Sequence, residues 1–223
     1  MNQEQALSLL KETKLVAILR GIPVKQATDI ATALYDGGVR VLEFTFDHDD
    51  PDCVAHNCQR IRAVKKIFGD EMVVGCGTAL TVQEVEASVE AGGQIVISPN
   101  VDVSVIAKTK ALGAISMPGA LTPTEIVMAY NAGADIVKLF PAGTLGVPYI
   151  KAVRGPLGYI PMSAVGGVRP ETIADFLNVG VCGFGVGGEL VKKEFVCSGD
   201  MNALTSRARK FVHAIEQWEA NRS

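Results

Sequence analysis

Short apolar runs rich in β-branched residues alternate along this chain with stretches whose apolar residues recur at helical spacing. Eight runs stand out: LVAILRG from Leu15, VLEFTF from Val41, MVVGCGT from Met72, QIVISPN from Gln94, AISMPG from Ala114, IVKLFPA from Ile136, PMSAVGG from Pro161 and CGFGVGG from Cys182. Their starts lie 26, 31, 22, 20, 22, 25 and 21 residues apart, the length of one strand-and-helix unit. Near-continuous apolar strands suit a parallel sheet covered on both faces. Boundary signals agree with this count. AGG at 91–93, NAGAD at 131–135 and NVGV at 178–181 put glycine just past a helical stretch, as a C-cap requires. Pro123 and Pro170 stand near helix starts, where a missing N–H costs nothing. An amphipathic helix precedes the first run, and a long one from about Asp200 to Glu219 closes the chain. The pattern predicts an α/β fold: a single (β/α)8 TIM barrel over residues 1–223 with an extra N-terminal helix. A doubly wound open sheet uses the same alternation, but no G-x-G-x-x-G opens a helix after the first strand.

Composition narrows the function classes. With 21 Lys+Arg against 24 Asp+Glu the net charge is −3, which argues against a nucleic-acid partner, whose binding needs clustered positive charge. No uncharged stretch reaches the roughly 18 continuous apolar residues of a spanning helix, so no membrane partner is expected. The polar start, MNQEQALSLLKETK, lacks a basic segment followed by an apolar one. The five cysteines form an odd set without a C-x-x-C pair. That suits free thiols in a reducing compartment, and a cytoplasmic location is expected.

In a barrel the site forms at the C-terminal ends of the strands, so ionisable residues inside strands or at those ends carry the most information. Lys138 interrupts the sixth run, and Ile136, Lys138 and Phe140 share one face at period two. If that face is the barrel interior, burial lowers the amine pKa and leaves a nucleophile able to form a Schiff base. If it is the outer face, Lys138 snorkels between helices. Glu43 interrupts the second run in the same way. A barrel-facing Glu43 needs a cationic partner, Lys138 or Arg20, and can move protons as a general acid and base. Outward, it pairs with a helix. Arg20 stands at the mouth of the first strand, placed to fork onto a carboxylate. The pairs Gly166-Gly167 and Gly187-Gly188 follow the seventh and eighth runs, where backbone N–H groups of many barrels hold phosphate; both pairs also serve as ordinary turns. Glu189 is an unwelcome negative charge there unless it turns away. The acidic loop at 46–52 reads as a solvated connection that starts the next helix, and with three histidines and no H-E-x-x-H no metal is expected. Dinucleotide and P-loop motifs are absent, so no cofactor is expected.

The segments VAILRG, VLEFTF, VGCGTAL, ISPN, MPGALTPTE, VKLFPA, AVGGV and GVGGELV occur in the order seen in bacterial 2-keto-3-deoxy-6-phosphogluconate / 4-hydroxy-2-oxoglutarate aldolases. The chain resembles that family over nearly its whole length, with KLFPA and ILRG as the specific pieces. The resemblance implies Lys138 as Schiff-base nucleophile, Glu43 as general acid and base, Arg20 and Thr78 on the pyruvate carboxylate, and Pro99 and Phe140 as pocket walls. It also implies a metal-free class I reaction on a small 2-keto acid, with pyruvate as product, and a homotrimer. Relatives that bind phosphate often have Ser and Thr where this chain has Gly188 and Val165, which leaves only backbone donors for a phosphate here. Some relatives carry an arginine where this chain has Asp47; those without it have the arginine that is Arg20 here. Two other functions use the same residues: a phosphate-binding isomerase or epimerase, in which Glu43 abstracts a proton and Lys138 steadies an enolate, and a non-catalytic barrel that binds a sugar acid.

Overall fold

A computed structural model describes residues 1–222. Helix α1 (Gln3–Thr13) leads into β1 (Leu15–Leu19), and the alternation continues through α2 (Ala27–Asp36), β2 (Val41–Thr45), α3 (Cys53–Phe68), β3 (Val73–Gly77), α4 (Val82–Glu90), β4 (Ile95–Ile97), α5 (Val103–Ala111), β5 (Ile115–Met117) and β6 (Gly119–Ala120). It ends with α6 (Pro123–Asn131), β7 (Val137–Leu139), α7 (Ala142–Leu157), β8 (Met162–Val165), α8 (Ile173–Asn178), β9 (Gly183–Val186), α9 (Lys193–Ser198) and α10 (Met201–Ala220). Side-chain caps fix several helix starts. Thr81 and Glu84 form a capping box on α4, Thr122 and Glu125 on α6, and Asn2 and Gln5 on α1, each satisfying N–H groups that the helix cannot.

All strand pairs are parallel, in the order β5-β4-β3-β2-β1-β9-β8-β7-β6. The two ends of this order are the two halves of one run, AISMPGA, broken at Pro118. Proline has no N–H to continue the ladder, and here the pairing passes from β4 on one side to β7 on the other. Hydrogen bonds from Ile136, Lys138 and Phe140 N–H to the carbonyls of Ser116, Pro118 and Ala120 close the barrel along this strand. The fifth predicted strand is therefore one strand in two pieces.

Alternation sorts the strand residues. Val16, Val41, Val73, Ile95, Ile115 and Ile136 fill the barrel interior, with Ala6 and Leu10 of α1 packed against them. Their neighbours Leu42, Phe44, Val74, Val137, Leu139 and Phe184 face the helices. The extra helix thus plugs the N-terminal end and leaves the opposite end open.

Candidate active site

Lys138 is the middle residue of β7 and pairs with Gly119 on one side and Ser163 on the other. Its neighbours Val137 and Leu139 face outward, so period two turns Lys138 inward with Ile136. Glu43 occupies the same layer of β2, between Ile18 of β1 and Gly75 of β3. Lys138 is 7% exposed and Glu43 1%. The outward orientations open to both residues on sequence alone are excluded.

The two groups form no direct ion pair, and Glu43 Oε2 is buried with no hydrogen-bond partner among the described residues. Loss of water around the carboxylate pushes Glu43 up to about 7, against the pull of Lys138 and Arg20. Burial also pushes the Lys138 amine below its usual range; Glu43 opposes that shift and Arg20 adds to it. Buried together, an amine and a carboxylate are thus both drawn toward neutral pH. The Phe140 ring stands 5.0 Å from Lys138 Nζ.

Around this pair the strand ends assemble one cavity of about 260 Å³. Arg20 enters it from the end of β1, Thr78 from β3, Pro99 from β4 and Phe140 from β7. Gly166 and Gly167 line it after β8, and Gly187 and Gly188 after β9. Every residue singled out from the sequence as a site candidate therefore borders the same space. Ile18, Val168 and Val186 line it too. Ile18 was legible, since it falls between Val16 and Arg20 at period two.

Thr78 has a positive φ of 56°, a conformation that β-branched residues avoid. The segment after it is held by Glu84, whose buried carboxylate accepts from Leu80 N–H at 2.7 Å and Thr81 N–H at 2.9 Å. The same carboxylate pairs with His48 Nε2 at 2.7 Å, tying the loop after β2 to the loop after β3. In the acidic loop, His56 pairs with Asp50. These contacts account for both histidines of that region as loop fasteners.

Glu189 lines the cavity beside the second glycine pair, but its carboxylate is drawn toward α10. Arg207 Nε donates to the Glu189 carbonyl at 2.8 Å, and Arg207 Nη2 lies 3.4 Å from Glu189 Oε2.

A family model described as KDPG and KHG aldolase matches residues 7–207. The 2-dehydro-3-deoxy-6-phosphogalactonate aldolase of Escherichia coli (strain K12) is 35% identical over 204 residues, which cover 91% of this chain and 95% of the relative. The KHG/KDPG aldolase of the same strain is 32% identical over 216 residues, 95% of this chain and 96% of the relative. A solved structure described as native KDPGal superposes with a TM-score of 0.83 at 32% identity, covering 92% of this chain and 96% of that one. The chain belongs to the KDPG and KHG aldolase family.

Proposed function

We propose that this protein is a class I aldolase that cleaves 4-hydroxy-2-keto acids to pyruvate and an aldehyde through a Schiff base on Lys138. The observation that carries the reading is the buried pair of Lys138 and Glu43, an amine lowered and a carboxyl raised in one layer of the barrel interior. In the proposed cycle neutral Lys138 Nζ attacks the C2 carbonyl, and Glu43 supplies the proton that lets hydroxide leave as water. The resulting iminium is an electron sink. Glu43, now ionised, takes the proton of the C4 hydroxyl; the C3–C4 electron pair flows into the iminium, and the aldehyde departs. Protonation of the enamine at C3 and addition of water at C2 release pyruvate and free Lys138. Arg20 and Thr78 are assigned to the C1 carboxylate, where they align the carbonyl with the amine, and Pro99 and Phe140 to the walls beside it. The backbone N–H groups of Gly166, Gly167, Gly187 and Gly188 are assigned to the far end of the substrate.

The names of the relatives support keto-deoxy phosphosugars as substrates. 2-Dehydro-3-deoxy-6-phosphogalactonate, which is cleaved to pyruvate and glyceraldehyde 3-phosphate, takes first place on the 35% relative. 2-Keto-3-deoxy-6-phosphogluconate and 4-hydroxy-2-oxoglutarate, with glyoxylate as aldehyde, follow from the 32% relative. A homotrimer is the proposed assembly, checked by sedimentation. Incubation with pyruvate and borohydride, followed by intact-mass and peptide analysis, tests the chemistry. The expected result is one reduced adduct on Lys138, lost together with turnover in folded Lys138→Ala. Folded protein with no adduct overturns the imine mechanism and favours the isomerase.

A further inference from the structure

The ionisable groups in the wall of the catalytic cavity are Arg20, Glu43, Lys138 and Glu189. The proposed cycle uses the first three at the carboxylate and carbonyl end of a keto acid. Glu189 is left over, beside the glycine turn after β9. The proposed substrates end in an anion at their far end, a phosphoryl group or a second carboxylate. An uncompensated carboxylate in that wall repels such a ligand, because like charges interact more strongly between protein walls than in open water.

What meets this charge lies in α10. Arg207 touches Glu189 at two points: Nε donates to its carbonyl at 2.8 Å, and Nη2 lies 3.4 Å from Oε2. Among the described residues Glu189 has no other cationic partner. The turn itself is closed without it, since the Leu190 and Val191 N–H groups both donate to the Gly187 carbonyl at 2.8 Å. The Arg207 guanidinium stands 5.1 Å from the ring of the fully buried Phe211. Its side chain is 18% exposed against 44% for Glu189, so the cation is the better anchored of the two. Helix α10 is in turn pinned to α2. Thr205 Oγ1 donates to the Ala33 carbonyl at 2.9 Å, and a Cβ on Gly37 would stand 2.4 Å from the Ala208 Cβ, so the two helices lie as close as glycine permits.

We infer that Arg207 is a positioning residue for the proposed reaction: by holding and neutralising the Glu189 carboxylate, it lets the cavity admit a ligand whose far end is anionic. It acts through Glu189 and is not itself part of the cavity wall. The choice of keto acids as ligands rests on the aldolase reading, whereas the pairing of Glu189 with Arg207 does not.

Two keto acids that lack the C4 hydroxyl, and so cannot be cleaved, separate the far-end charge from the rest of the ligand. They are 2-oxoglutarate, which ends in a carboxylate, and 2-oxopentanoate, of the same chain length, which ends in a methyl group. Binding is read by calorimetric titration. Arg207→Gln is expected to weaken 2-oxoglutarate about tenfold, the size of one uncompensated like charge, and to leave 2-oxopentanoate within about twofold. Adding Glu189→Gln to Arg207→Gln removes the released charge and brings 2-oxoglutarate back to within about twofold of the parent. Parent-like binding of 2-oxoglutarate by Arg207→Gln overturns the proposal. So does an equal loss for both keto acids that Glu189→Gln fails to restore, which marks a packing defect in α10. Weaker binding of 2-oxoglutarate in Glu189→Gln alone also overturns it, by making the carboxylate a group that receives the ligand. A parent that takes 2-oxopentanoate and refuses 2-oxoglutarate overturns it too, because a neutralised wall admits both. Borohydride trapping of pyruvate on the Arg207→Gln protein keeps the two readings apart. An adduct with unaltered 2-oxoglutarate binding sinks only the positioning role, and the selective loss with its rescue but without an adduct sinks only the imine.

Discussion

A Cβ placed on Gly77 would stand 1.8 Å from Glu43 Oε2. Gly77 is the last residue of β3 and Glu43 the central residue of β2, so the carboxylate occupies the space that any side chain at 77 would fill. Glycine here is a condition for the position of the acid. Gly77→Ala is expected to displace Glu43 and lower kcat by about 100-fold, the usual reach of a general acid and base. Lys138, on another strand, keeps its place, but its adduct with pyruvate is expected to form more slowly, because the proposed cycle has Glu43 supply the proton that releases water. Single-turnover cleavage beside borohydride trapping separates the two effects, and parent-like turnover in Gly77→Ala removes the steric argument.

In the proposed cycle Glu43 enters protonated, to release water at C2, and its carboxyl is pushed up to about 7 by burial. Lys138 must be neutral to attack, and its amine is lowered by the same burial. The free enzyme therefore reacts with Glu43 protonated and Lys138 neutral, so kcat/KM for cleavage is expected to be bell-shaped, with one limb near 7 from Glu43 and the other from Lys138. A pH–rate profile from about pH 5 to about pH 9 checks this. A flat profile across neutrality removes Glu43 as the titrating group.

The same shift has a cost in stability. An unfolded Glu43 ionises near its ordinary 4.5, whereas the folded protein keeps the proton until about 7. Between those values the folded state binds more protons, so this residue lowers stability as pH rises through that window. Glu43→Gln is therefore expected to be inactive yet more stable than the parent above pH 7, by about 3 kcal/mol, with the difference vanishing near pH 4.5. Thermal unfolding of the two proteins across that range gives the answer.

How much of this was legible in the sequence depends on what each feature answers to. Lys138 and Glu43 could be read because a lone charge in an apolar strand has few places to go, and alternation names its companions. The barrel could be read because eight runs recur at the length of one strand-and-helix unit. Gly77 could not be singled out, since its meaning appears only when β2 and β3 are in register. Glu189 was legible as a conflict but not as its resolution, which depends on Arg207 in α10, 18 residues further on.

Thr78 carries backbone strain at the cavity wall. Its φ of 56° is unfavourable for a β-branched residue by about 1–2 kcal/mol, yet it brings the side chain into the cavity wall. The loop behind it, fastened through Glu84 to Leu80, Thr81 and His48, holds the conformation in place. Glycine adopts the same φ without strain but gives up about 0.5–1 kcal/mol in chain entropy. Thr78→Gly is therefore expected to raise stability by ~0.5–1 kcal/mol. Without the hydroxyl the C1 carboxylate loses a donor, and KM for the keto acid rises about tenfold. Denaturant unfolding and steady-state kinetics on this one variant test both halves. A variant that is less stable and binds substrate as the parent does would show that Thr78 serves the loop and not the ligand.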